Sequence, residues 1–180
     1  MPCIGNDIVD WRKAKVQFKK LRLRSLQKLF QNQEIAYIQS SENSIRAFWK
    51  LWTIKESVYK AWQRQHNSKP IFNPISFNCQ NIQENLVLVC KDDFYYQVET
   101  VFTPDYIYSQ CKSDHINYKI FKCPKAFSEF KIKWYKQGLE IKKSTNNIPY
   151  LFSKKNKNIS PISLSHNNQF TAVNWLNIKI

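Results

Sequence analysis

Three short stretches of this 180-residue chain hold residue types that can handle an anionic, metal-bound substrate. The first is Phe48-Trp-Lys-Leu-Trp-Thr-Ile-Lys-Glu-Ser-Val-Tyr-Lys-Ala-Trp62. Glu56 and Lys60 stand four apart, so in a helix they project from one face a turn from each other, with Lys55 just around the corner. A carboxylate for a metal and an ammonium for a phosphate, carried on one rigid element, suit such a substrate. The ordinary reading of the same pair is a solvated surface ion pair worth roughly 0.3 kcal/mol. The second stretch, Ile4-Gly-Asn-Asp-Ile-Val-Asp10, alternates so that Ile8 can face a core while Asp7 faces the other way. An acid inside an apolar strand is costly unless paired or metal-bound, although Asp7 on its own also suits a turn or cap. The third, Ile162-Ser-Leu-Ser-His166, reads as a strand ending beside a turn, where a lone histidine is ordinarily a turn or packing residue.

The elements that must position these residues are read from periodicity. Phe48, Trp52, Lys55, Tyr59 and Trp62 recur at three- and four-residue steps without Gly or Pro, which predicts a half-buried central helix. Ser44 is its expected N-cap, and Asn67-Ser-Lys-Pro70 ends it near residues 62–65. Before it, residues 11–24 are basic and too irregular for one amphipathic helix, reading as a basic loop or docking surface. Asp10, just ahead of Trp11-Arg-Lys, is a candidate N-cap for that segment. Residues 25–30 and 33–39 read as short helices, the latter capped by Asn32. After the central helix, 71–77 reads as extended. Strands are expected at 86–90, 95–102, 106–111 and 118–122, the first two joined at Lys91-Asp-Asp93. A helix over 127–137 closes at Gly138, and 170–176 returns as a strand after Asn167-Asn-Gln169. Helices first and then a run of antiparallel strands predict an α+β fold.

Composition narrows the class of partner. No apolar run is long enough to span a membrane, and the start lacks the basic and apolar parts of a signal peptide, so a cytoplasmic protein is expected. Five cysteines form no CxxC pair and are assigned no chemistry. A formal charge of +15 points to a polyanionic partner, whether nucleic acid, an anionic surface or an acidic protein.

Taken together, Gly5-Asn6-Asp7, Trp52-x-x-Lys55-Glu56-Ser57-x-x-Lys60 and Ser163-Leu-Ser-His166 resemble the three motifs of the 4′-phosphopantetheinyl transferase superfamily. Their order is that of the holo-acyl-carrier-protein synthases, with the Ser-His motif near the C-terminus. The resemblance implies an antiparallel sheet packed on a long central helix, in a single domain over residues 1–180. The segment from about 67 to 143 matches nothing in the short family type and is expected to be an insertion. The implied reaction is Mg²⁺-dependent transfer of the phosphopantetheine arm of coenzyme A to a serine of an apo acyl carrier protein, such as that of fatty acid biosynthesis, releasing adenosine 3′,5′-bisphosphate.

By the same resemblance, Asp7 and Glu56 are the metal ligands and Lys60, with Lys55 as a weaker candidate, neutralises the pyrophosphate. Glu56 acts as general base, directly or through a water on the metal. Ser165 and His166 bind a phosphate or the nucleotide end of coenzyme A. In the short type this last motif reaches a neighbouring subunit's site, which implies a composite site in a homotrimer. Acidic carrier proteins would also account for the positive charge, with Arg12, Lys13, Lys19, Lys20, Arg22 and Arg24 as candidate docking residues. Asn6 departs from the family pattern, which more often has an apolar or small residue there. The alternative reading is a basic, aromatic-rich nucleic-acid-binding module without catalysis. It explains the +15 charge and 15% aromatic content but leaves the three motifs as coincidence.

Overall fold

The computed structural model describes residues 3–18 and 23–176. The docking candidates Lys19, Lys20 and Arg22 lie outside the described residues. Strand β1 (Asn6–Asp10) is followed by helices α1 (Trp11–Phe18), α2 (Leu23–Leu29), α3 (Asn32–Ser40) and α4 (Ser44–His66). Strands β2 (Asn78–Gln80), β3 (Leu86–Lys91), β4 (Phe94–Phe102), β5 (Tyr106–Cys111) and β6 (Ile116–Phe121) come next, then α5 (Pro124–Lys136). The chain closes with β7 (Leu139–Lys143), β8 (Pro149–Ser153), β9 (Ile159–Asn167) and β10 (Phe170–Leu176). The strands pair antiparallel into two sheets, in the orders β1-β5-β4-β3-β2 and β6-β10-β9-β8-β7. The α+β prediction with a long central helix holds.

Helix α4 is the longest element. Asn43, rather than the expected Ser44, caps it by accepting the Arg46 amide at 3.0 Å, and Asn67 closes it in the left-handed region. Leu51, Ile54, Val58 and Ala61 share one core with Val9, Val87, Val89, Val98 and Ile107 of the first sheet. Each of these larger side chains contributes roughly 1.5–3 kcal/mol by burial. That packing fixes how α4 lies on the sheet, and Glu56, Lys60 and Arg64 then succeed one another at four-residue steps along another stripe of the helix.

The second sheet lies against the face of β1 and β5 that α4 leaves open, through Ile8, Tyr108, Phe170 and Ala172. Its far side carries α5, with Phe121, Trp134, Leu151 and Val173 between them. Along β10 the alternation is plain, since Phe170 and Ala172 face the first sheet while Val173 faces α5. Strand β1, at the edge of its own sheet, is buried throughout because α4 covers one face and β9 with β10 the other.

Two local expectations are corrected. Residues 11–18, expected to be irregular, form α1, because Asp10 caps it through the Arg12 and Lys13 amides and Trp49 donates its indole N–H to the Ala14 carbonyl at 2.9 Å. The segment expected to be extended over 71–77 instead makes a 3₁₀ turn at Pro74–Ser76, with Pro at its first position. The cap of α3 also shifts by one: Glu34 turns back to accept the Gln31 amide at 2.8 Å. Residues 67–143 supply β2 to β7 and α5, so this segment builds most of the first sheet and the layer outside the second.

Candidate active site

Strand β1 presents alternate residues to the two elements that enclose it. Gly5 and Asp7 face α4, whereas Asn6, Ile8 and Asp10 face β9 and β10. A side chain at position 5 is excluded, because a Cβ there would lie 2.0 Å from the Ser57 carbonyl oxygen and 2.8 Å from the Ala61 amide nitrogen. Only glycine lets β1 run against the α4 backbone, and that approach brings Asp7 to Lys60. The Lys60 ammonium donates to Asp7 Oδ1 and to the Asn6 carbonyl, both at 2.9 Å. An ammonium has three N–H donors, so one is left for a ligand.

Asp7 and Glu56 both line a cleft of about 490 Å³ between α4, β1, β9 and the 143–149 segment. Burial pushes the Asp7 carboxyl up, against the charge and hydrogen bond of Lys60. Glu56 is raised to about 7, first by burial and then by the Asp7 charge, with Lys60 pulling the other way. Two carboxylates that disfavour each other's ionisation and share one cleft are a donor set that a hard divalent cation would relieve. Among the described residues no cluster of three or more His, Cys, Asp or Glu side chains is suited to a metal. A pair fits Mg²⁺ all the same, since that ion commonly uses one or two carboxylates and completes its shell with waters and substrate phosphate oxygens.

The opposite wall comes from β9. Ser163, Ser165 and His166 line the same cleft as Asp7, and the His166 charge acts on Asp7 in the lowering direction. The motif that the resemblance assigned to a neighbouring subunit therefore lies in the cleft of its own chain. Asn6 holds it there: the Asn6 amide donates to Ser163 Oγ at 3.1 Å, and that hydroxyl donates to Asn6 Oδ1 at 2.7 Å. The Asn6 side-chain amide also donates to Asn174 Oδ1 at 2.8 Å, which in addition accepts the Tyr108 hydroxyl.

Lys55 is a correction. Its ammonium is fully buried away from the cleft, donating to Glu34 Oε2 at 2.7 Å and to the Pro74 and Phe77 carbonyls at 3.0 and 2.7 Å. Every donor is used in tying α3 and the 74–77 turn to α4, so no N–H remains for a nucleotide. Asp10 likewise stands outside the cleft as the α1 cap, with its second oxygen accepting from Asn168 at 2.7 Å. Sequence reasoning missed Arg64 and Lys143, which also line the cleft. Arg64 continues the Glu56–Lys60 stripe by one turn, a signal present in the spacing. Lys143 is brought in from β7 and carried none.

Comparison with family models agrees with the first two motifs. The family model described as the 4′-phosphopantetheinyl transferase superfamily matches residues 3–111, a range holding Gly5, Asp7, Glu56 and Lys60. No curated protein matches the chain. Among solved structures, the holo-[acyl-carrier-protein] synthase (AcpS) of Thermotoga maritima aligns with a TM-score of 0.44 at 10% identity, covering 83% of this chain and 86% of that one.

Proposed function

The chain belongs to the 4′-phosphopantetheinyl transferase superfamily, and from that premise we propose that it moves the phosphopantetheine arm of coenzyme A to a serine of an acidic apo acyl carrier protein, in the manner of a holo-acyl-carrier-protein synthase. The observation that carries this reading is the meeting of Asp7, Glu56 and Lys60 with Ser165 and His166 in one cleft, from three separate stretches of sequence.

In the transfer, the carrier serine oxygen forms a bond to the phosphorus that bears pantetheine. The bond from that phosphorus to the bridging pyrophosphate oxygen breaks, and adenosine 3′,5′-bisphosphate leaves. Glu56 takes the serine proton. Burial raises its carboxyl to about 7 in the metal-free cleft, and a bound cation would draw it back down, so position and charge would supply most of the catalysis. Lys60, held by Asp7 and the Asn6 carbonyl, directs its remaining N–H at the pyrophosphate and offsets charge on the leaving group. Asp7 and Glu56 would hold Mg²⁺, which when bound supplies charge neutralisation at the pyrophosphate oxygens. Ser165 and His166 orient the nucleotide end from the β9 side. The basic surface, including exposed Arg12, Lys13 and Arg24, suits an acidic carrier.

The test is the mass of an apo acyl carrier protein after incubation with the chain, coenzyme A and Mg²⁺. A gain of one phosphopantetheine group that chelator abolishes supports the reading. No gain with fatty-acid, polyketide or peptide carriers, together with no binding of coenzyme A, would overturn it.

A further inference from the structure

The second sheet ends in an open edge, because among the described residues β7 pairs with β8 alone. At the two ends of that hairpin the Ser144 amide donates to the Ile148 carbonyl at 3.0 Å and the Lys154 amide to the Gly138 carbonyl at 2.7 Å. Bonding alternates along an antiparallel ladder, so Glu140 and Lys142 exchange their backbone bonds with Phe152 and Tyr150 of β8. Leu139, Ile141 and Lys143 therefore turn their amides and carbonyls outward. Beside this edge a groove of about 360 Å³ runs between β7 and α5, with Ile132, Trp134, Tyr135, Leu139 and Ile141 in its lining. Ile132 and Tyr135 are more than half exposed.

An open edge beside apolar side chains invites a further strand, and natural edges are commonly guarded by lysine. Here the guard is self-complementary. Leu139 and Ile141 pack toward α5, so Glu140 and Lys142 project from the other face of β7, where their own contact is loose at 3.8 Å and both side chains stay partly exposed. When β7 meets β7 of a second copy antiparallel about a two-fold axis at Ile141, the outward groups fall opposite one another. Ile141 faces Ile141, and Leu139 faces Lys143 in both directions, which makes about six backbone hydrogen bonds. Glu140 then stands opposite Lys142 of the second copy twice, at the closer, non-hydrogen-bonded positions where cross-strand charge pairs act. Moving the axis by one residue sets Glu140 against Glu140 or Lys142 against Lys142, so charge selects this register. Directly opposite residues share a face, and both α5 helices with their grooves then lie on one side of the joined sheet. The +15 charge of the chain opposes association at long range, but physiological salt screens it beyond about 8 Å.

We infer that the chain forms a two-fold homodimer through β7, its second sheets joined edge to edge with Ile141 on the axis and Glu140–Lys142 pairs crossing the junction. The dimer does not depend on the transferase reading. Lys143 joins the ladder through its backbone while its side chain lines the cleft of its own chain, so the junction braces one wall of each cleft.

Sedimentation velocity of the full chain at about 0.15 M salt tests this. The wild type should sediment at micromolar concentrations as a species of twice the chain mass. Lys142→Glu sets carboxylate against carboxylate across both pairs and should raise the dissociation constant about 10-fold or more, and Glu140→Lys should do the same with ammonium groups. The double variant Glu140→Lys/Lys142→Glu restores opposite charges in the same register and should recover the dimer, a rescue that a misfolded or merely weakened chain would not give. A wild type that stays monomeric or forms trimers would overturn the β7 interface. So would a dimer that either single reversal leaves unchanged, or a double variant that stays dissociated.

Discussion

Asn6 and Ser163 exchange two hydrogen bonds across the gap between β1 and β9, backbone amide to hydroxyl at 3.1 Å and hydroxyl to side-chain oxygen at 2.7 Å. Asn6 directly precedes Asp7, and Ser163 lies two residues before Ser165. The clasp therefore sets the distance between the two walls of the cleft, and both residues are almost wholly buried. Replacing Asn6 with Ala removes the acceptor of the buried Ser163 hydroxyl and one of the two donors to Asn174 Oδ1, while the backbone amide still meets Ser163, and should cost about 1–3 kcal/mol, read by urea unfolding. A cost under about 0.5 kcal/mol, the scale of an ordinary surface change, would mean that the clasp is not what joins the two sheets here.

The buried Lys55–Glu34 pair makes a different prediction. Lys55→Met leaves the Glu34 carboxylate without its ammonium in the core, which should destabilise by about 3–5 kcal/mol. Activity per folded molecule should survive, because Lys55 does not reach the cleft. Thermal unfolding and kinetics on the same preparation separate the two effects. Normal stability with lost turnover would return Lys55 to the site.

Gly5→Ala tests the approach of β1 to α4. The added methyl meets backbone atoms, which cannot swing away, so β1 must shift from α4 and Asp7 from Lys60. The variant should lose about 1–3 kcal/mol of stability and most of its activity. Full activity would show that the spacing of Asp7 and Lys60 is not critical.

Glu56 predicts an unusual pH profile for stability in metal-free buffer. Its folded value, about 7, lies above the ordinary carboxylate value of 4.5, so the folded state binds the proton more tightly. Its favourable contribution is fully present below about pH 4.5 and is lost as pH rises through about 7. Glu56→Gln should therefore be more stable than wild type at pH 8, by about 3 kcal/mol, with the gap closing toward pH 4.5. Chemical denaturation at the two pH values reads this directly, and a gap independent of pH would contradict it.

Much of the α+β fold was legible because period and punctuation agreed. The α4 periodicity ran without Gly or Pro, and the hairpin at Lys91–Asp93 and the final pair of strands carried their own turn residues. Helix α1 was obscured because only Ala14 of its residues is buried, leaving no apolar stripe to read. The 74–77 turn is held by the Lys55 ammonium from a distant helix, a tertiary tie without local signal.

The candidate site was legible where spacing within one element sufficed, as for Glu56 and Lys60. Lys55 shows the limit: neighbouring positions on a helix face different surroundings, and its motif position gives no hint of Glu34 waiting in α3. Arg64 reads in sequence as a charge suited to a helix C-terminus, and only the third dimension shows β8 and β9 carbonyls holding it against the cleft.

The most direct test of the account is the turnover number of Glu56→Gln for phosphopantetheine transfer, at saturating coenzyme A and Mg²⁺ and with the fold verified by circular dichroism. The proposed role of Glu56 as base and metal ligand predicts a fall of about 100-fold or more, with coenzyme A still bound. A turnover within about threefold of wild type, far short of what a general base supplies, would contradict the claim that this cleft carries the chemistry.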